Sequence, residues 1–448
     1  MLRFLLASVL LLIAYGPATP ATEDAANVGP FVYTVAKVFE PMAWFRGADR
    51  FPSGAEIFVS GKSGRRPLFP DFFASADPSV SFDGGKVLFA GKARASSPWQ
   101  IWEFDLAGRI PRPITSCPED CIRPFYLPDD RVVYARKIAG RFVIETKELA
   151  SNKTLELTYI SSNALPTDVL RDGRILFESS YPLGGDGNSE IYTVYSDGSG
   201  IESYRCDHGA LRYAAKQHSS GDTVFATTHG LARFTSARAQ QVSISEPGGE
   251  YAGDIAETAA GEWLMAWRPD AKVPYQLMRW SPGAGDLKPV IVEQGANIVQ
   301  PALLASRPTP NRHPSGLHDW PNANLLCLNA YTSKLQIPVG SIHSVRLYTR
   351  DDSGHPHLLG TAPVERDGSF FVQVPSEQPL QFELLDASGK SVKREAGYFW
   401  MRRGEQRVCV GCHAGPETAP ENAVPQILLK STTPADLTGT SATSAGGH

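Results

Sequence analysis

The chain has 448 residues and a formal net charge of −4, with 43 Lys and Arg against 47 Asp and Glu. That length is more than one small core organises and predicts two or three domains. The near-balance of charge leaves no basic field to hold nucleic acid or anionic lipid, which argues against both as partners.

Met1-Leu2-Arg3 runs into an apolar stretch from Phe4 to Tyr15 and then into small residues and proline through Ala21. This is the pattern of a secretory signal peptide, expected over residues 1–22. The apolar run is shorter than the roughly 20 residues that span a bilayer. No later stretch is long and apolar enough for a transmembrane helix, so the mature chain is expected in a bacterial periplasm or secreted. An oxidising compartment permits disulfides, and Cys117 and Cys121, flanking Pro118-Glu119-Asp120, are close enough to close a small loop. Cys206 and Cys327 either pair across the fold or stay as buried thiols.

From Phe31 the text becomes short apolar alternations punctuated by Gly, Asp and Pro, which is strand punctuation. Ser81-Phe82-Asp83-Gly84-Gly85-Lys86-Val87-Leu88-Phe89, Leu127 to Tyr134 and Leu170 to Phe177 are versions of one unit, with weaker copies near Phe225 and Met265. Aligned on Phe89, Tyr134, Phe177, Phe225 and Met265, the spacings are 45, 43, 48 and 40 residues. Such a period suits a four-stranded propeller blade. The Asp-Gly or Asp-Asp turn feeds three apolar residues into a strand buried between blades. A second element, Gln100 to Asp105, Glu190 to Tyr195 and Tyr275 to Trp280, follows the first, and Glu56-Ile57-Phe58 reads as the same strand of an earlier blade. The expectation is a mainly β protein, with a six- or seven-bladed β-propeller over 28–305, six preferred, whose two chain ends share closure. The units resemble the propeller repeats of the Tol-system periplasmic protein and its relatives, which implies shape and no chemistry.

Four prolines between Arg307 and Pro321 forbid regular structure and predict a connector over 306–323. It carries His313 and His318. From Asn324 a period-2 pattern returns, predicting a small β-sandwich-like domain over 324–429. A Ser, Thr, Ala and Gly-rich tail, 430–448, is expected to be disordered.

Near the end stand Cys409-Val410-Gly411-Cys412-His413, the C-x-x-C-H spacing of covalent c-type haem attachment. The two thiols add to the haem vinyl groups, and the histidine gives an imidazole nitrogen to the iron. A zinc knuckle would need two further ligands at knuckle spacing, and none follow. One covalent haem c is therefore expected on Cys409 and Cys412, with His413 as axial ligand. Its function turns on the sixth iron position. Candidates to close it are Met401, His313, His318, His343, His355 and His357; each also has a plain reading as a core methionine or a solvated loop histidine. Arg402, Arg403 and Arg407 either neutralise haem propionates or serve as surface charge.

Leu359-Gly360-Thr361-Ala362-Pro363-Val364, Asp367-Gly368-Ser369-Phe370, Phe382 to Asp386 and Gly404-Glu405 before the motif resemble the hydrazine synthase alpha-subunit-related family of exported cytochromes. Members of that family join a propeller to a haem-bearing domain. The resemblance implies a c-type haem on Cys409 and Cys412, redox chemistry of small nitrogen compounds, and a redox partner protein or further subunits. Two features depart from the family's named enzyme. Its alpha subunit carries two haems, whereas this sequence has one C-x-x-C-H motif. Where that enzyme has an iron-binding tyrosine four residues after the motif histidine, this chain has Glu417. Hydrazine synthesis is therefore not carried over; electron transfer is expected first, and a haem-dependent oxidoreductase with an open iron second. The reading from a different class is a propeller-based interaction or sensory module with a structural haem.

Overall fold

The computed structural model describes residues 28–61, 64–108, 110–160, 162–180, 189–204, 211–236, 239–244, 247–283, 286–333, 335–350, 355–395, 397–411 and 423–439. Six antiparallel sheets form a propeller. Blade 1 is closed by both ends of the domain: Asn297–Leu303 is its innermost strand, followed outward by Phe31–Ala36, Glu56–Gly61 and Gly64–Pro67. Blades 2 to 6 begin with the inner segments Ala74–Val80, Cys121–Leu127, Ala164–Val169, Tyr213–Gln217 and the pair Glu250–Tyr251 and Ala256–Glu257. Phe89, Tyr134, Phe177, Phe225 and Met265 all lie on second strands, and all are at most 1% exposed between blades. The repeat thus marks one position of every blade from 2 to 6. At the turns, Asp83 accepts from Gly85 N at 2.9 Å and Asp172 from Arg174 N at 3.0 Å, so turn geometry accounts for these carboxylates.

The inner strands share a device that no residue pattern announces. Their pairing shifts register between Ala76 and Ser79, Ile122 and Phe125, Pro166 and Asp168, and Tyr213 and Lys216. Asp77, Arg123, Ala214, Asp254 and Gln300, one on each of five blades, take left-handed φ of 52 to 58°. A bulge re-aims a side chain and bends its strand, here around the propeller axis.

Both mouths of the axis carry added chain. Residues 37–55, between Phe31–Ala36 and Glu56–Gly61 of blade 1, cover one. Gly47 O accepts from Lys137 Nζ of blade 3, Phe45 O from Asn163 Nδ2 of blade 4, and Asp49 from Trp99 Nε1 of blade 2. The connector crosses the other. Its Arg307 N donates to Phe82 O, its Asn311 N to Arg171 O, and the His313 ring stacks on Tyr195 at 3.6 Å.

The C-terminal domain is a sandwich of two four-stranded sheets. One orders Gln406–Cys409, Asn322–Cys327, Phe370–Pro375 and Ala435–Asp436; the other orders Pro356–Pro363, Ser344–Arg350, Leu380–Leu385 and Ser391–Arg394. Alternating residues such as Leu325, Cys327, Val345, Leu347, Val372 and Val374 fill the space between them. The tail departs from expectation. Instead of disorder from 430, Ala435–Asp436 adds a parallel strand beside Phe370–Pro375, and Leu437, 2% exposed, enters the sandwich core. One buried apolar side chain and a strand edge hold what composition alone marks as loose.

Candidate functional site

Cys409 ends the edge strand Gln406–Cys409, which runs parallel to Asn322–Cys327 with Cys409 beside Cys327. Cys327 is buried, and Cys409 is half-buried against the sandwich core. After it the chain turns at Gly411, whose φ is +153°. A Cβ there would sit 2.6 Å from the Thr332 backbone oxygen and 2.8 Å from that of Asn329, so only glycine lets the segment lie against this loop. Cys412, His413 and Glu417 lie outside the described residues, as does Cys206.

The approach to this strand is built into the propeller. Trp400, 1% exposed, belongs to a cluster of blades 3 and 4 with Leu127, Ile144, Leu157, Val169 and Phe177. Its neighbour Phe399 touches both that cluster and the sandwich core. Arg402 pairs with Glu377 at 2.7 Å and donates to Tyr159 of blade 3, while Gly200 N of blade 4 donates to Glu405 at 3.1 Å. Arg407 also binds Glu405, at 2.6 Å, and Arg403 binds Glu377 at 3.1 Å. All three arginines expected either at haem propionates or free on the surface are thus engaged by carboxylates of this chain.

The candidates for the sixth iron position scatter. Met401 has no exposed surface and packs in the sandwich core. His313 stacks on Tyr195 of the propeller. His318 stacks on Trp320 at 4.7 Å and lies against Gly404, five residues before Cys409 and so roughly 16 Å away along an extended strand. His355 and His357 are exposed on or beside Pro356–Pro363, a strand that packs by Ala435–Asp436, at the sheet edge opposite Cys409. His343 is exposed at the same end of the sandwich as Cys409. The loop that meets Gly411 reaches its neighbour, with Ile342 N donating to the Tyr331 hydroxyl at 3.2 Å.

Whether a haem suits this place can be judged from its rim. Val408 and Val410, flanking Cys409, are 58% and 52% exposed, and Leu335, Val424 and Leu429 stand exposed on neighbouring segments. Apolar side chains left in water beside a half-buried thiol fit a cofactor with a large apolar ring. Among the described residues no group of three His, Cys, Asp or Glu gathers as a metal site. Cys117 and Cys121 are unbridged thiols with sulfurs 2.7 Å apart. The hydrogen bond from Cys121 holds Cys117 down to about 7, while that bond and burial push Cys121 up.

A polar cluster on the propeller axis lies outside every residue pattern singled out from the sequence. Arg50 grips Asp77 at 2.5 Å, Gln300 Nε2 donates to the same carboxylate, and Arg123 N donates to it at 3.1 Å. The Arg123 guanidinium reaches Asp254 at 2.8 Å. Burial would raise the Asp77 carboxyl, but Arg50 and Arg123 hold it below the usual range. Glu178 accepts from Ala214 N at 2.9 Å, and burial pushes it up to about 7. The shared signal is a left-handed bulge, carried by unlike residues, so no motif reveals it.

Residues 343–414, which include the C-x-x-C-H motif, match the family model of the hydrazine synthase alpha subunit middle domain. Over that segment the chain is similar to the hydrazine synthase alpha subunit middle domain. Among solved structures it is similar to Kuenenia stuttgartiensis hydrazine synthase, with a TM-score of 0.76 and 17% identity over 93% of this chain and 75% of that one. At this identity the likeness shows the shared fold. TolB from Acinetobacter baumannii is also similar, at TM-score 0.46 and 14% identity over 61% of this chain and 66% of that chain. The β-propeller domain of the Trilobed protease from Pyrococcus furiosus matches at TM-score 0.36 and 14% identity, over 53% and 75%. No curated protein matches by sequence.

Proposed function

We propose that this chain is an exported single-haem c-type cytochrome that passes electrons within a multi-subunit redox assembly. The observation that carries the reading is the C-x-x-C-H motif, whose first cysteine ends an edge strand, inside the segment that matches the hydrazine synthase alpha subunit middle domain. A haem bound there supplies a one-electron redox centre whose potential the protein sets through its axial ligands and their burial. Cys409 and Cys412 would hold it and His413 would ligate it, with the exposed Val408 and Val410 offering apolar surface beside it. The propeller acts as a mount: Trp400, Arg402 and Glu405 fix the strand before the attachment site. Further subunits follow from the family, whose name is that of an alpha subunit.

The test is the spectrum of the haem-loaded protein. A ferrous form that does not bind carbon monoxide, and that gains carbon monoxide binding in His343→Ala, fits an electron carrier closed by His343. Ready carbon monoxide binding by the wild type moves the function to small-molecule chemistry at an open iron.

A further inference from the structure

The strand that ends at Cys409 lies beside a second cysteine. Gln406–Cys409 runs parallel to Asn322–Cys327, and the register sets Cys409 directly against Cys327. The pairing continues past both residues, with Leu328 N donating to Cys409 O at 2.9 Å. Neighbouring strands lie about 4.8 Å apart, inside the roughly 4.4–6.8 Å between Cα atoms that a disulfide spans. Residues in register on adjacent strands send their side chains to the same face of a sheet. Here that face is the sandwich core, where both cysteines pack, while Val408, one residue earlier, is exposed.

The two thiols differ in access. Cys327 is 1% exposed, so an oxidant in solution does not reach it. Cys409 is half-buried on an edge strand, its sulfur 3.2 Å from Gly411 O in the turn that follows. That turn is braced on the chain just after Cys327, because Gly411 fits tightly against Asn329 and Thr332. A thiol that solvent reaches, backed by one that it does not, is the arrangement of an attacking and a resolving cysteine.

We propose that Cys327 is the resolving thiol of Cys409 and that the two form a disulfide in the chain before haem is attached. The Cys409 thiolate attacks a small disulfide such as oxidised glutathione; its S–S bond breaks, a mixed disulfide forms and one glutathione thiolate leaves. Cys327 then attacks the Cys409 sulfur, the Cys327–Cys409 bond forms and the second glutathione leaves. The two cysteines give up two electrons and two protons, and glutathione takes both as its two thiols. While the bond stands, Cys409 has no S–H to add across a vinyl group, so attachment waits for a dithiol reductant. That consequence rests on the haem reading; the disulfide itself does not.

The test uses the full haem-free chain carrying Cys412→Ala, which leaves Cys409 as the one cysteine of its tryptic peptide. The folded protein is incubated with oxidised glutathione, blocked with N-ethylmaleimide and digested without reductant. Mass spectrometry is expected to find the Cys409 peptide joined to the Cys327 peptide, with the loss of two hydrogen atoms. With Cys327→Ala added, which keeps an apolar side chain in the core, Cys409 is expected to stop at its glutathione adduct. In urea the links of Cys409 should spread over Cys117, Cys121, Cys206 and Cys327. A folded Cys412→Ala chain in which Cys409 ends as a thiol or as the adduct, or joins Cys117, Cys121 or Cys206 as readily as Cys327, overturns the proposal. The readout involves no haem, so failure of covalent haem attachment would leave the linkage standing, and loss of the linkage would leave attachment to be judged by its own mass.

Discussion

Trp400 is where the account of the propeller as a mount can be weighed. Its side chain is fully buried among residues of blades 3 and 4, although it belongs to the segment that leads into the Cys409 strand. A buried tryptophan covers about 150–250 Å², which at about 25 cal/mol per Å² amounts to ~4–6 kcal/mol. Measured truncations of large aromatics cost about 3–5 kcal/mol. The indole nitrogen finds no hydrogen-bond partner among the described residues, so Trp400→Phe gives up area but also removes a buried unsatisfied donor. Trp400→Ala is therefore expected to lose about 3 kcal/mol or more, and Trp400→Phe to lose much less. Hydrogen exchange locates the loss: amides of Gln406–Cys409, hydrogen-bonded along Asn322–Cys327, should exchange about a hundredfold faster in Trp400→Ala. Unchanged protection there, with stability within about 0.5 kcal/mol of wild type, would refute the mount.

Other outcomes follow from the same structure. Glu178 carries a folded pKa of about 7, raised by burial, above the value near 4.5 of an unfolded glutamate. The folded state then holds the extra proton between these values, so stability should fall as pH rises from about 4.5 to 7 and level off above. Glu178→Gln, whose amide oxygen still accepts from Ala214 N, should flatten that slope in urea titrations at a series of pH values; an unchanged slope assigns it to other groups. Cys117 and Cys121 should form a disulfide in the exported protein, so alkylation without reductant should leave both unlabelled, whereas labelling of both shows that they persist as thiols. Glu377→Gln removes the carboxylate shared by Arg402 and Arg403 and leaves the Arg402 guanidinium buried with a weaker partner. It should cost about 1–3 kcal/mol in denaturant, while a loss inside about 0.5 kcal/mol would mean that Tyr159 suffices.

The blades were legible because each must bury the same apolar triplet after the same tight turn, and Phe89, Tyr134, Phe177, Phe225 and Met265 sit at that place. Closure was legible as the expectation that the two ends of the domain share it, and Asn297–Leu303 pairs with Phe31–Ala36 to do so. The axis cluster was not legible, because a bulge depends on backbone conformation and Asp77, Arg123, Ala214, Asp254 and Gln300 follow no common residue type. Nor was the role of Trp400, since a local aromatic run does not say which core it enters. It lies in the propeller while its neighbour Met401 lies in the sandwich. The ordered strand Ala435–Asp436 escaped notice because its stability comes from one partner strand and the buried Leu437, both distant from its own bland composition.

The central claim is that one haem is attached covalently through Cys409 and Cys412. Intact-protein mass spectrometry after export, with acid extraction of any non-covalent haem, tests it most directly. A mass increase of one haem that survives extraction and disappears in the Cys409→Ala, Cys412→Ala double variant is expected. A mature chain with no added mass, or a double variant that keeps its covalent haem, would contradict it.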